Sequence, residues 1–202
     1  MDITDEKSAR HKVRMQTKKA IVDDKIAKAK RDAGLLLVLT GNGKGKSSSA
    51  LGTMARAVGH GQKVAVLQFI KGRLETGEYK FFRDHPQIDW HVMGHGFTWE
   101  TQDFQRDVDA AEQAWTLAAQ LLNDPTYDML IFDEMAYPFK YKHLAVEPVV
   151  AALQQRPLAQ TVIITGRVMP AELIDIADTI TDMKDERHAF RSGVKAQAGI
   201  EF

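Results

Sequence analysis

The stretch Leu35-Leu36-Leu37-Val38-Leu39-Thr40-Gly41-Asn42-Gly43-Lys44-Gly45-Lys46-Ser47-Ser48 decides the fold of this chain. Its first five residues are apolar without interruption, the pattern of a strand buried on both faces of a parallel sheet. Glycines at 41, 43 and 45 then let the backbone wrap with N–H groups turned inward. A helical segment runs from Lys46 to about residue 58, with Gly59 and Gly61 as stop signals. Strand, glycine-rich loop and helix in that order are the context a phosphate-binding loop (P-loop) demands. The helix N-terminus contributes about half a positive charge. Lys46 places a mobile ammonium beside bound phosphates, Ser47 puts a hydroxyl where such loops ligate Mg²⁺, and Ser48 can cap or assist. The natural ligand is a nucleoside triphosphate. The general pattern asks for one more glycine five residues before Gly45, where this chain has Thr40.

Further apolar runs at 64–70, 129–132 and 162–164 share the buried-strand character, and weaker segments lie at 88–92 and 179–181. Helical stretches separate them. Phe104, Val108, Ala111, Trp115, Ala118 and Leu122 recur at spacings of three and four, so 101–122 reads as one long amphipathic helix stopped at Asn123-Asp124-Pro125. Shorter helices are expected at 146–155 and 171–177. Strands alternating with helices imply right-handed crossovers. The fold class is therefore α/β: an open, mostly parallel, P-loop NTPase-like (RecA-like) sheet with helices on both faces, in a single domain. Ligands of such a sheet bind beyond the carboxyl ends of its strands.

With 202 residues, one compact domain is the default. Lys+Arg 27 against Asp+Glu 27 leaves a formal charge of +0, which lacks the positive field of a duplex-binding protein, so nucleic acid is not an expected partner. Zero cysteines exclude disulfides, thiol nucleophiles and thiolate metal sites. No apolar run approaches the length of a membrane span, and the charged N-terminus is unlike a signal peptide. The reading is a soluble cytoplasmic protein. Residues 1–33 stand apart from the domain at 34–202, because ten Lys/Arg and two acids lie between Lys7 and Arg31. This basic arm has too few apolar positions to pack on a core, so it reads as mobile or as a helical lid ordered by a ligand or partner.

Met129-Leu130-Ile131-Phe132-Asp133-Glu134 leaves two acids at the carboxyl edge of a buried strand beside the loop. Asp133 and Glu134 can hold Mg²⁺ directly or through water; in a hydrolase one of them can position water, and the sequence does not separate these roles. Arg167, just past a strand, is placed for phosphate or ribose. His91 and His95 are four apart, but Gly94 argues against a helix joining them as a zinc pair. Tyr137, Phe139 and Tyr141 alternate after the acids and line either a ligand pocket or a loop core.

Seven stretches together carry a resemblance. They are Gly41-Asn42-Gly43-Lys44-Gly45-Lys46-Ser47, Arg56-Ala57-Val58-Gly59-His60-Gly61, Gln68-Phe69-Ile70-Lys71-Gly72, Gly96-Phe97-Thr98-Trp99-Glu100-Thr101, Asp133-Glu134, Thr165-Gly166-Arg167 and Gly193-Val194-Lys195-Ala196-Gln197. In this order, over about 34–202, they resemble the P-loop corrinoid adenosyltransferases of the CobA/CobO/BtuR type, whose loop also lacks the distant first glycine. The resemblance implies transfer of the 5′-deoxyadenosyl group of ATP to the Co(I) of a reduced corrinoid, with triphosphate leaving. Co(I) is itself a strong nucleophile, so no activated side chain is required, and none is evident. It implies ATP as co-substrate, Mg²⁺ (or Mn²⁺) near Ser47, Asp133 and Glu134, and triphosphate contacts from Gly41, Asn42, Gly43, Lys44, Gly45, Lys46, Ser47, Ser48 and Arg167. Phe97 and Trp99 would occupy the lower face of the corrin and displace its axial base. It further implies a homodimer and an electron donor for Co(II). The alternative activity is a P-loop NTPase or small-molecule kinase cleaving the terminal phosphate.

Overall fold

The computed structural model describes residues 3–70, 75–93 and 103–201, with side chains from residue 7 onward. The chain divides into two compact units, Met1–Asp32 and Ala33–Phe202. In the first, a run without glycine or proline forms helix α1 (Ile3–Lys28). Its side chains from residue 7 are exposed on every face. Lys19 pairs with Asp23 at 3.4 Å and Lys28 with Asp24 at 2.6 Å, one turn apart, each worth a few tenths of about 1 kcal/mol. No helix among the described residues is long and apolar enough to cross a membrane.

In the second unit the apolar runs become strands β1 (Leu36–Thr40), β2 (Val64–Gln68), β3 (Ile88–Val92), β4 (Met129–Asp133), β5 (Thr161–Thr165) and β6 (Thr179–Asp182). They form one sheet in the order β3-β2-β4-β5-β1-β6, and every described pairing is parallel. The two weaker candidates are both strands. β2 and β4 are buried at all five positions, as continuous apolar runs require.

Among the described residues, six helices lie between the strands: α2 (Lys46–Gly59), α3 (Gly77–Phe82), α4 (Phe104–Leu122), α5 (Ala136–Lys140), α6 (Glu147–Gln155) and α7 (Ala171–Asp175). A 3₁₀ turn spans Ala189–Ser192. Alternation along the strands fills both faces. Ala65, Leu67, Leu130, Phe132, Val162 and Ile164 pack with residues of α4, α6 and α7. Val64, Val66, Met129, Ile131 and Ile163 turn the other way, onto Ala50, Leu51 and Met54 of α2. Each fully buried side chain of this kind contributes roughly 1.5–3 kcal/mol relative to exposure.

Two findings go beyond the sequence reading. Helices α3 and α5 were not anticipated, and α5 carries Pro138 in its first turn, where a missing N–H costs nothing. The acidic strand is also not the direct neighbour of the loop strand: β5 lies between β1 and β4. Hydrogen bonding through the sheet between the two strands therefore passes by way of β5.

Candidate functional site

Because the strands run parallel, all their carboxyl ends reach one edge. A cleft of about 700 Å³ opens there, lined by the loop after β1, the ends of β2 and β4, Arg167 after β5 and the chain after β6. It brings together Asn42, Gly43, Lys44, Gly45, Lys46, Ser47, Ser48, Asp133, Glu134 and Arg167. Gly41 does not line it, and Phe97 and Trp99 lie outside the described residues.

The loop is held from behind. The Gly41 N–H donates to the Arg167 carbonyl at 3.3 Å and the Gly43 N–H to the Met183 carbonyl at 2.6 Å. A Cβ on residue 43 would stand 2.4 Å from the Lys184 carbonyl oxygen, so only glycine permits this approach. With those two amides spent, the amides of Asn42 and of residues 44–47 find no main-chain acceptor among the described residues. Such free amides at the N-terminus of a helix, here α2, are the kind of donors that suit an anion. Lys46 is buried and donates to the Gly41 and Gly43 carbonyls, both at 2.7 Å, which fixes its ammonium across the loop. Burial lowers its pKa, and nearby Glu134 opposes that shift.

The two acids differ. Asp133, 5% exposed, accepts from the Thr165 hydroxyl at 2.7 Å on one carboxylate oxygen and from the Gln68 amide at 3.3 Å on the other. Glu134 sits at φ 56°, a left-handed conformation that costs a non-glycine residue about 1–2 kcal/mol. Its N–H donates to Thr165 Oγ1 at 2.9 Å, and its Oε2 is buried with no hydrogen-bond partner. Burial pushes its carboxyl above the usual range, the Asp133 charge adds to this, and Lys46 and Arg167 pull it back. Strain and an orphaned acceptor in one residue, inside a cleft, make Glu134 a candidate functional group. Arg167 is reached through Gly166, where a Cβ would lie 2.1 Å from that of Ala136, so α5 and the end of β5 touch closely. Its guanidinium has no hydrogen bond or ion pair among the described residues.

The tyrosines are sorted by helix geometry rather than alternation. Tyr137 and Tyr141 share a face of α5 and its C-cap, with ring centroids 5.6 Å apart, and Tyr137 lines the cleft. Phe139 packs against the core. Sequence reasoning missed the wall after β6: Asp185 pairs with Arg191, and Glu201 pairs with Lys44 across the loop's mouth. Exposed residues without periodicity give no local signal that the tail returns here.

Among the described residues no group of three or more His, Asp or Glu side chains is placed to hold a metal ion. The oxygen-bearing residues Ser47, Asp133 and Glu134 all line the same cleft. A hard cation such as Mg²⁺ typically takes only one or two protein oxygens and completes its shell with phosphates and water.

The chain resembles proteins of known activity over nearly its whole length. The model of the family described as ATP:corrinoid adenosyltransferase BtuR/CobO/CobP matches residues 32–202. A corrinoid adenosyltransferase of Pseudomonas aeruginosa is 53% identical over 203 residues, covering 100% of both chains. The corrinoid adenosyltransferase CobA of Salmonella typhimurium is 45% identical over 193 residues, 96% of this chain and 98% of that one. A corrinoid adenosyltransferase of Sinorhizobium sp. is 42% identical over 197 residues, 96% of this chain and 92% of that one. This chain belongs to the ATP:corrinoid adenosyltransferase family and is an enzyme that transfers the adenosyl group of ATP to a corrinoid.

Proposed function

We propose that the reaction takes place at the carboxyl edge of the sheet, with the triphosphate of ATP in the loop and the 5′ carbon turned to the incoming cobalt. The observation that carries this is the buried, unpartnered Glu134 carboxylate oxygen, in the same cleft as the loop and within electrostatic reach of Lys46 and Arg167. Co(I) of the reduced corrinoid supplies the electron pair of the new Co–C bond. The C5′–O bond breaks, its pair leaves on triphosphate, and cobalt ends as Co(III). Lys46, Arg167 and the free loop amides stabilise the charge that grows on the leaving group. Ser47 and Glu134 are the residues to hold Mg²⁺, or Mn²⁺ in its place, which when bound supplies further positive charge at the phosphates. Asp133 supports Glu134 from behind. The remaining work is alignment, worth many orders of magnitude in rate once cobalt and carbon are held in contact.

Phe97 and Trp99 form the corrinoid half of this reading, displacing the axial base so that Co(II) is reduced to Co(I) by a biological electron donor. The resemblance supports this role, and the segment carrying them joins the carboxyl end of β3 to α4. The basic arm 1–33 acts as a lid, the enzyme works as a homodimer, and its setting is the cytoplasm. Incubation with ATP, Mg²⁺ and chemically reduced corrinoid is expected to give the light-sensitive adenosylated spectrum and triphosphate; ADP and phosphate without alkylated corrin would overturn the reading. Trp99→Ala is expected to harm reaction from Co(II) and spare pre-reduced substrate. Equal loss with both rejects the base-displacing role.

A further inference from the structure

We propose that Thr165 is a positioning residue for Glu134, acting as the link between Asp133 and the Glu134 backbone in a hydrogen-bonded line that crosses β3, β2, β4 and β5. The line runs Trp90, Gln68, Asp133, Thr165, Glu134, and its direction is fixed by what each group can do. An indole N–H only donates and a carboxylate only accepts, so the Gln68 amide between them has one workable orientation. Its Oε1 accepts from Trp90 Nε1 at 3.1 Å and its Nε2 donates to Asp133 Oδ2 at 3.3 Å. From the other side, the single hydroxyl hydrogen of Thr165 goes to Asp133 Oδ1 at 2.7 Å. Its lone pairs are left to accept the Glu134 N–H at 2.9 Å. Thr165 is 0% exposed and Gln68 7%, so water cannot easily replace either.

Asp133 is thus an anchor that receives hydrogen bonds from both directions. Its hold on Thr165 orients the oxygen that catches the backbone of Glu134 in its left-handed turn. Because β5 lies between the loop strand and the acid strand, Thr165 is the side chain that joins the Asp133 carboxylate to the Glu134 backbone while sitting one strand from the loop. Deleting its hydroxyl strands the Glu134 N–H and one Asp133 oxygen together, and frees Glu134 to relax out of the cleft.

The inference rests on the reading that Glu134 serves the nucleotide's divalent cation, and the test separates the two. Mn²⁺ is titrated into protein with ATP, and free Mn²⁺ is read by electron paramagnetic resonance without turnover. Thr165→Val, nearly the same shape, is expected to weaken Mn²⁺·ATP binding roughly tenfold or more, the usual scale for losing an outer support of a metal ligand. Thr165→Ser is expected to stay within about twofold, since it restores the hydroxyl. Gln68→Met, which removes the donor to Asp133 Oδ2 together with the acceptor of the Trp90 N–H and leaves Thr165 in place, is expected to lose about threefold and carries the test if Thr165→Val does not fold. In turnover, Thr165→Val should raise the KM for Mg·ATP and recover kcat at high Mg²⁺; general damage lowers kcat at any concentration. Wild-type Mn²⁺·ATP binding in folded Thr165→Val, or in Gln68→Met, overturns the positioning role, as does an equal loss in Thr165→Ser. Wild-type binding in Glu134→Gln overturns instead the reading of Glu134.

Discussion

Charged groups at the two edges of the sheet are treated differently. At the amino edge, Asp178 accepts the Leu36 N–H at 2.8 Å and faces Arg156 at 3.7 Å, and Arg156 also donates to the Leu153 carbonyl at 2.7 Å. Lys63 pairs with Asp89 at 3.3 Å and lies over the Tyr127 ring, whose hydroxyl donates to the same carboxylate at 2.6 Å. Each of these groups closes on a neighbour. At the carboxyl edge, Glu134 keeps a buried oxygen without a partner and a left-handed backbone, and the loop amides point at an open cleft. Polar groups that find partners inside the protein contribute to stability; those left short are held ready for a ligand. The contrast predicts that substitutions at one edge move stability, and at the other, catalysis.

The largest effect is expected at the loop. Lys46→Ala removes the buried ammonium at the cradle and should lower kcat/KM by more than about a hundredfold. Gly43→Ala should lose on the order of a hundredfold, because its Cβ meets a backbone carbonyl at 2.4 Å and neither chain has room to yield. Both are measured by adenosylation of pre-reduced corrinoid, with circular dichroism to confirm the fold. Normal activity in Gly43→Ala would show that the loop tolerates displacement, which its hydrogen bond to Met183 and its close approach to Lys184 oppose.

At the amino edge, Asp178→Ala is expected to leave kcat/KM within about twofold and to cost about 1–2 kcal/mol. The Leu36 N–H loses its acceptor; the half-exposed pair with Arg156 adds little because water screens it. In a chain of this size that is a fall in Tm of roughly 2–8 °C by calorimetry. A matching loss of activity would mean that the two edges are coupled through β1.

Much of this contrast was legible in the sequence and part was not. Continuous apolar runs identified the four inner strands, since burial on both faces leaves little room for polar positions there, and the edge strands β3 and β6 gave only the weaker signals that their partial exposure explains. The loop and the acidic pair were visible because phosphate binding demands glycines and a lysine at fixed spacing. Strand order was not visible: nothing local records that β5 separates β1 from β4, and so the linking role of Thr165 is absent from the letters. The different duties of Asp133 and Glu134 were hidden for the same reason, as adjacent acids acquire roles only from what packs on each. For Tyr137, Phe139 and Tyr141 the letters left pocket and loop core open, and the short helix α5 divides them, with Tyr137 toward the cleft and Phe139 toward the core. The wall formed by Asp185, Arg191 and Glu201 depends on a chain return that no periodicity announces.

The smallest effect carries the opposite sign. Burial makes the ionised Glu134 carboxylate costly in the folded chain and free of cost in the unfolded one, so its pKa is raised on folding. Well below the ordinary value of 4.5 both states are protonated and the cost vanishes; as pH rises through and beyond it, the folded state is progressively penalised. Glu134→Gln removes the charge and keeps the shape, and so should stabilise the protein at neutral pH by about 1 kcal/mol, roughly 2–4 °C in Tm. The difference should fade as the pH falls toward 4 and below, while activity is lost at every pH. Calorimetry of both proteins across pH 4 to 8 checks the sign. A Tm that drops in Glu134→Gln at neutral pH would mean that the carboxylate has a partner in the free enzyme and is no more strained than Asp178. A rise would show that the enzyme keeps this group against its own stability, as expected of a residue whose partner arrives with the nucleotide.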